Sequence, residues 1–169
     1  MEHNKKTAEA ELVVIGGGPA GMMCAATAAE RGMRVILLEP NRQLGRKLRI
    51  TGKGRCNVTN NCDIKTFMEN IPGDGRFLYS ALNRLSPTQT MELFESHGLK
   101  LKTERGNRVF PVSDNANDVA GTMAHWCERA GVLVMPPVMA PRQLRSSILN
   151  TRRMTKKPTI IGSTVITAP

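Results

Sequence analysis

The stretch from Leu12 to Glu39 constrains this chain more tightly than any other part of it. Val13-Val14-Ile15 runs into Gly16-Gly17-Gly18-Pro19-Ala20-Gly21, a small-residue segment follows, and Val35-Ile36-Leu37-Leu38 ends in Glu39. This order predicts a buried strand over residues 12–15, a glycine turn, a helix, and a second buried strand that finishes in an acid. Gly16 permits the tight turn, Gly18 lets the backbone approach a pyrophosphate, and Gly21 lets helix and strand pack closely. Pro19 suits the first helical turn, and the segment Ala20 to Arg31 carries Ala25, Ala26, Ala28 and Ala29 before Gly32 stops it. The right-handed crossover rule sets the two strands side by side. Amides at the helix start then face the phosphates with the positive end of the macrodipole behind them. Glu39, 18 residues past Gly21, is placed to accept hydrogen bonds from a ribose hydroxyl pair and to repel a 2′-phosphate. A glycine triplet alone is weak evidence. With both strands, the helix and the acid in register, it reads as a dinucleotide site.

At 169 residues the chain has the length of one domain with a sizeable core. Its formal charge of +10 is unevenly spread. Residues 132–169 hold Arg142, Arg145, Arg152, Arg153, Lys156 and Lys157 and no acid, while the other 18 basic and all 14 acidic residues precede them. The body is thus a mildly basic globule and the tail is strongly basic. Cys24, Cys56, Cys62 and Cys127 show neither zinc spacing nor a secretory framework, which points to a reducing compartment and no metal. The first eleven residues are polar and charged, so no signal peptide is expected, and no apolar run approaches a membrane span. The expected location is cytoplasmic.

Between Pro40 and Asn61 six cations (Arg42, Arg46, Lys47, Arg49, Lys53, Arg55) stand without an acid, and Gly45, Gly52 and Gly54 prevent a long regular element. The segment follows the second strand, near the strand ends where open α/β sheets bind ligands. Arg46 and Lys47 are the best candidates for phosphate contact. Cys56 and Cys62 are separated by five residues, one more than the redox pair of flavin disulfide reductases, and lack a nearby histidine; ordinary thiols are expected.

Further along, residues 77–85 look helical, and Ser86-Pro87-Thr88-Gln89 is a capping-box start for a helix that Gly98 stops. Residues 99–103 and 108–110 read as a hairpin. Ser113 or Asp114 is expected to cap a helix running to Ala130, with Val119, Met123, Trp126, Cys127 and Ala130 on one face. A strand over residues 132–135 follows. Beyond Met135 the pattern fails: five of the ten prolines fall in the last 34 residues, no helical or strand period persists, and only the run Thr159 to Thr167 resembles an element. The expected organisation is a polar segment at 1–11, a partial cofactor domain at 12–135, and an atypical tail at 136–169.

Gly45-Arg46-Lys47-Leu48-Arg49-Ile50-Thr51-Gly52-Lys53-Gly54-Arg55-Cys56-Asn57-Val58-Thr59-Asn60 resembles the signature of the BaiN-like bacterial NAD(P)/FAD-dependent oxidoreductases. Gly106-Asn107-Arg108-Val109-Phe110-Pro111-Val112-Ser113-Asp114 resembles a second block of that family. The resemblance implies an α/β fold, a Rossmann-like FAD-binding βαβ start with an inserted α+β segment, incomplete relative to the family fold. It implies FAD as the cofactor, with Gly16, Gly18, Pro19, Ala20 and Gly21 along the pyrophosphate and Glu39 on the adenosine ribose. Arg46 and Lys47 would lie along the cofactor, and Arg55, Cys56 and Asn57 toward its flavin half. The implied activity is hydride transfer through the flavin, from NAD(P)H as candidate electron donor to an unsaturated small molecule. The matched stretch ends near Gly131, so a truncated flavoprotein with an out-of-frame or otherwise aberrant tail is expected.

Two other functions compete with the flavoprotein oxidoreductase. A catalytically dead remnant would bind nucleotide weakly and expose apolar surface, because two strands and a helix do not cover both faces of a parallel sheet. A basic nucleic-acid binder has only charge in its favour, since aromatic residues make up 4% of the chain and the basic residues form no motif. No specific nucleic-acid or membrane partner is expected, and no catalytic acid or base can be named.

Overall fold

The computed structural model describes residues 10–136 and 166–167. In chain order the elements are β1 (Leu12–Ile15), α1 (Pro19–Glu30), β2 (Val35–Leu38), β3 (Thr59–Asn60), α2 (Ile64–Glu69), α3 (Tyr79–Arg84) and α4 (Pro87–Ser96). Then come β4 (Leu101–Glu104), β5 (Arg108–Pro111), α5 (Ala116–Arg129), β6 (Leu133–Met135) and β7 (Ile166–Thr167). The chain divides into two units, one formed by Met1–Gly45 with Met123–Pro169, the other by Arg46–Thr122.

The first unit is built on a four-stranded sheet in the order β6-β2-β1-β7. Strands β1 and β2 are parallel, with Leu12 opposite Val35 and Ile15 opposite Leu38, as the crossover rule requires. All four residues of β2 are buried, the signature of a parallel strand covered on both faces. Strand β6 extends the parallel set, Ile36 facing Leu133 and Leu38 facing Met135. Val13, Ile36 and Leu38 form a core cluster with Ala10, Ile15 and Met135 packed against it. Helix α1 ends as its sequence foretells. Gly32, at φ +88°, donates to Ala29 O at 2.9 Å and Met33 donates to Ala28 O at 3.2 Å, the αL stop that spares a side chain any strain.

The last turns of α5 pack in this unit. Trp126 is 4% exposed and its Nε1–H donates to Glu30 Oε1 at 2.6 Å, while the Cys127 thiol donates to Met22 O at 3.4 Å. Burial pushes that thiol up to about 11, so Cys127 is an inert packing group. At the sheet edge Leu133 and Val134 of β6 remain 47% and 42% exposed.

The tail falls almost wholly outside the described residues. Within it β7 pairs antiparallel with β1, Val13 opposite Ile166, inside the one run that its sequence marked as element-like.

The second unit carries a three-stranded antiparallel sheet in the order β3-β5-β4. The hairpin expected around residues 105–107 is β4–β5, with Glu104 opposite Arg108. Ser86 and Gln89 make the reciprocal capping box of α4, and Pro87 sits at its first turn. Two expectations need correction. Residues 77–85 are not one helix: a 3₁₀ turn over Gly75–Leu78 precedes the six-residue α3. The cap of α5 is neither Ser113 nor Asp114; Asn115 Oδ1 accepts from the Asn117 amide at 3.0 Å, because Asp114 is drawn to cations elsewhere.

Candidate dinucleotide site

The glycine turn of the first unit is pinned at both ends by backbone. The Gly16 amide donates to Leu38 O at 2.8 Å, and the Gly45 amide donates to Gly17 O at 2.7 Å. Gly16 sits at φ +101°, a conformation that L side chains rarely adopt. A Cβ at Gly16 or Gly18 would meet nothing within 4 Å, so both positions border open space. Gly17 is the reverse: a Cβ there would collide with Leu44 Cδ2 and stand 3.1 Å from Glu39 Cβ and Cγ.

Gly18 caps α1 without any side-chain bond, Pro19 follows, and the first helical bond runs from the Met22 amide to Gly18 O. Ala20 and Gly21 therefore present the amides that a helix leaves without intrahelical acceptors, at the positive end of the macrodipole. That is anion chemistry. Gly21 is buried, as close helix–sheet packing demands.

Glu39 reaches back to this turn. Its backbone amide donates to Met135 O at 3.0 Å, and its Oε2 accepts from the Gly17 amide at 2.7 Å. Its Oε1 accepts from the Asn41 amide at 2.9 Å and from Asn41 Nδ2. Each carboxylate oxygen has about two acceptor positions. Oε2 thus keeps one for a ribose hydroxyl, and a second hydroxyl at Oε1 requires the Asn41 side chain to turn away. The open space beside Gly16 and Gly18, the free helix-start amides and this acid fit the adenosine diphosphate half of a dinucleotide.

The remaining predicted residues lie in the second unit. Arg46 and Lys47 are exposed just before a 3₁₀ segment over Leu48–Gly54, kinked where Gly52 and Lys53 take φ of +55° and +57°. Asn57 is exposed, and its backbone N would lie 3.2 Å from a Cβ at Gly52. Cys56 is buried at φ +59°, and burial pushes its thiol up. All four cysteines are free. Arg55 holds Asp114 at 2.6 Å, bonds Glu104, and lies 4.2 Å from the centroid of the Phe110 ring. Lys102 reaches Asp114 at 2.7 Å and Glu104 at 3.4 Å. Sequence reasoning put Arg55 toward the flavin and missed this network. Its one visible signal was Asp114, which closes the second family block.

The network gives the second unit a defined pH response. Hydrogen bonds from Arg55 hold Glu104 below the usual carboxylate range, and those from Lys102 and Arg55 do the same for Asp114. Bonds to Asp114 hold Lys102 above its usual value. A depressed acid contributes stability above its unfolded value, about 3.9–4.3, and loses it as pH falls through the folded value. Raised Lys102 contributes below its unfolded value, about 10.4, and loses it as pH rises through the folded one. In thermal melts, Glu104→Gln is expected to blunt the loss of stability below about pH 4. Identical acid limbs in variant and parent would remove this network from the acid response.

Among the described residues no group of His, Cys, Asp and Glu could hold a metal ion, and no helix is long and apolar enough to cross a membrane.

The comparisons with known proteins agree with this geometry. The chain is 30% identical over 141 residues to the ribosomal RNA dihydrouridine synthase of Escherichia coli (strain K12), covering 83% of this chain and 32% of that protein. It is 36% identical over 109 residues to the 3-dehydro-bile acid delta(4,6)-reductase of Clostridium scindens, covering 63% and 26%. The chain thus spans a third or less of the curated relatives it matches. Among solved structures, THI4 of Thermovibrio ammonificans shares the fold with a TM-score of 0.54 at 16% identity, over 97% of this chain and 55% of that one. The profile of the HI0933-like protein Rossmann domain matches residues 10–167, so the resemblance continues past Gly131, through the pairing of β7 with β1. With a match of that extent over a βαβ unit whose turn and acid are bonded together, the chain belongs to the HI0933-like Rossmann family.

Proposed function

We propose that this chain is the FAD-binding portion of a flavin-dependent oxidoreductase. One observation carries the reading: the Glu39 carboxylate is bonded to the Gly17 amide, which holds the ribose acceptor and the phosphate turn as one piece. Pyrophosphate then lies over Gly16, Gly18 and the amides of Ala20 and Gly21, with Pro19 fixing the helix start, and Glu39 takes the adenosine ribose. Arg46 and Lys47 neutralise phosphate charge. Arg55, Cys56 and Asn57 belong toward the flavin half, Arg55 by fixing the backbone from which Asn57 projects. When bound, the flavin supplies hydride transfer, and the protein supplies orientation and electrostatics.

NAD(P)H is the proposed electron donor and a small unsaturated molecule the proposed acceptor. The names of the relatives offer a bile acid as the small molecule to try first, and ribosomal RNA as the macromolecular alternative to it. The proposed location is the cytoplasm, where four free thiols stay reduced. A second reading is a nucleotide-binding domain that does not turn over by itself.

The test is titration of the purified full chain with FAD, read by flavin absorbance and fluorescence quenching. Saturable binding is expected, with bleaching by NAD(P)H under the first reading and only by dithionite under the second. Glu39→Lys is expected to weaken binding by about 1–3 kcal/mol, through loss of charge-assisted bonds to the ribose. Unchanged affinity would exclude Glu39 from that role.

A further inference from the structure

The second unit contains a cavity of about 410 Å³ that no part of the proposed cofactor site uses. This volume lies in the ordinary range for small-molecule sites, about 300–1,000 Å³. One wall is apolar, made by Phe67 of α2 and by Ile71 and Pro72 just after it. Asn60 of β3 and the tip of the β4–β5 hairpin, Gly106 and Asn107, also line it. Among the described residues no charged side chain lines it.

The carboxamides in this lining are oriented by their existing bonds. Asn60 Nδ2 donates to Gly106 O at 2.9 Å, and Asn70 Nδ2 donates to Thr66 O at 2.8 Å. Because both partners are carbonyl oxygens, the nitrogen of each amide must face them, which leaves Oδ1 of Asn60 and Asn70 as acceptors for a ligand. The hairpin tip is itself held in place, since the Asn61 amide donates to Asn107 O at 2.7 Å. Asn107 sits at φ +58° beside Gly106 at φ +73°, a paired left-handed turn that asparagine and glycine tolerate best.

We propose that this cavity binds a neutral, planar ring that carries N–H donors. The flat ring lies against Phe67, Ile71 and Pro72, where aromatic and apolar contact is favourable. Its N–H groups meet the carboxamide oxygens, which their own bonds leave as acceptors. Phosphates and carboxylates are disfavoured, because among the described residues no cation lines the cavity. A site of this kind discriminates by rejecting the analogue that lacks the donor.

Cys62 lines the same cavity and is half-buried, as is Cys24 in the other unit, so the two thiols form a built-in pair of reporters. The experiment measures iodoacetamide alkylation of each cysteine in the full chain by mass spectrometry, with benzamide or N,N-dimethylbenzamide present. Both probes carry the same ring, and only benzamide has N–H donors. Saturating benzamide is expected to slow Cys62 about fivefold by blocking access, leaving Cys24 unchanged and N,N-dimethylbenzamide without effect. Asn70→Leu, at an exposed position, is expected to weaken the protection. Nicotinamide and adenine, run in parallel, separate a carboxamide from an aminopurine as the source of the N–H groups. Equal protection by both benzamides, or no protection of Cys62 by any probe, would overturn the proposal. The readout is independent of FAD, so its failure and the failure of the cofactor reading are distinguishable.

Discussion

Replacing Trp126 by alanine is expected to cost about 3–5 kcal/mol of stability, as truncation of a buried tryptophan does. The ring is 4% exposed in the first unit, and its Nε1–H bond to Glu30 ties α5 to α1 at 2.6 Å. Native domains hold only about 5–15 kcal/mol in total, so the loss removes much of the margin. Trp126→Phe separates the two contributions. It retains most of the apolar area, and Glu30 is exposed and can return to water, so about 1 kcal/mol is expected. Urea unfolding followed by far-ultraviolet circular dichroism checks both. Equal midpoints for Trp126→Ala and parent would show that the α1–α5 contact does not support the sheet.

Gly17→Val is expected to weaken FAD binding by about 2–4 kcal/mol, the sum of overpacking and a lost charge-assisted bond. Gly17 has no need of glycine's φ freedom, and the constraint is steric. Its missing Cβ leaves room for Leu44 Cδ2 and for the Glu39 stem at 3.1 Å. Valine displaces both, and the Glu39 carboxylate leaves the Gly17 amide with which it forms the ribose-binding corner. Adding Leu44→Ala is expected to restore part of the affinity and not all of it, because the Glu39 contact persists. Full restoration would mean that Leu44 alone sets the requirement, and no loss in Gly17→Val would show that this corner does not bind the cofactor. Calorimetric titration with FAD measures each case.

Both variants test features that were legible to different degrees. The βαβ unit is written in local pattern: an unbroken apolar β2, a proline at the first turn of α1, a glycine in the left-handed region at its end. The capping box at Ser86 and Gln89 is local in the same sense, because both partners lie within one helical turn. The Asn115 cap was misread, since Ser113, Asp114 and Asn115 are equivalent capping residues in sequence. Only the pull of Arg55 and Lys102 on Asp114 breaks the tie, and those cations are 59 and 12 residues away. The partners of Arg55 are hidden from the sequence for the same reason. Its place in a basic glycine-rich loop gives no sign of Glu104 and Asp114, which only folding brings beside it.

The sequence by itself determined the strand–turn–helix–strand order, the glycine that can take φ +101°, and the acid at the end of β2, because each follows from steric or periodic rules within a few residues. Only tertiary structure decided what that acid touches, which cations are already paired, and where a neutral, carboxamide-lined cavity opens beside α2 and the hairpin. The physical reason is range. Backbone sterics and periodicity act along the chain, whereas hydrogen bonds and ion pairs join whatever folding brings within about 3 Å, at any separation in sequence.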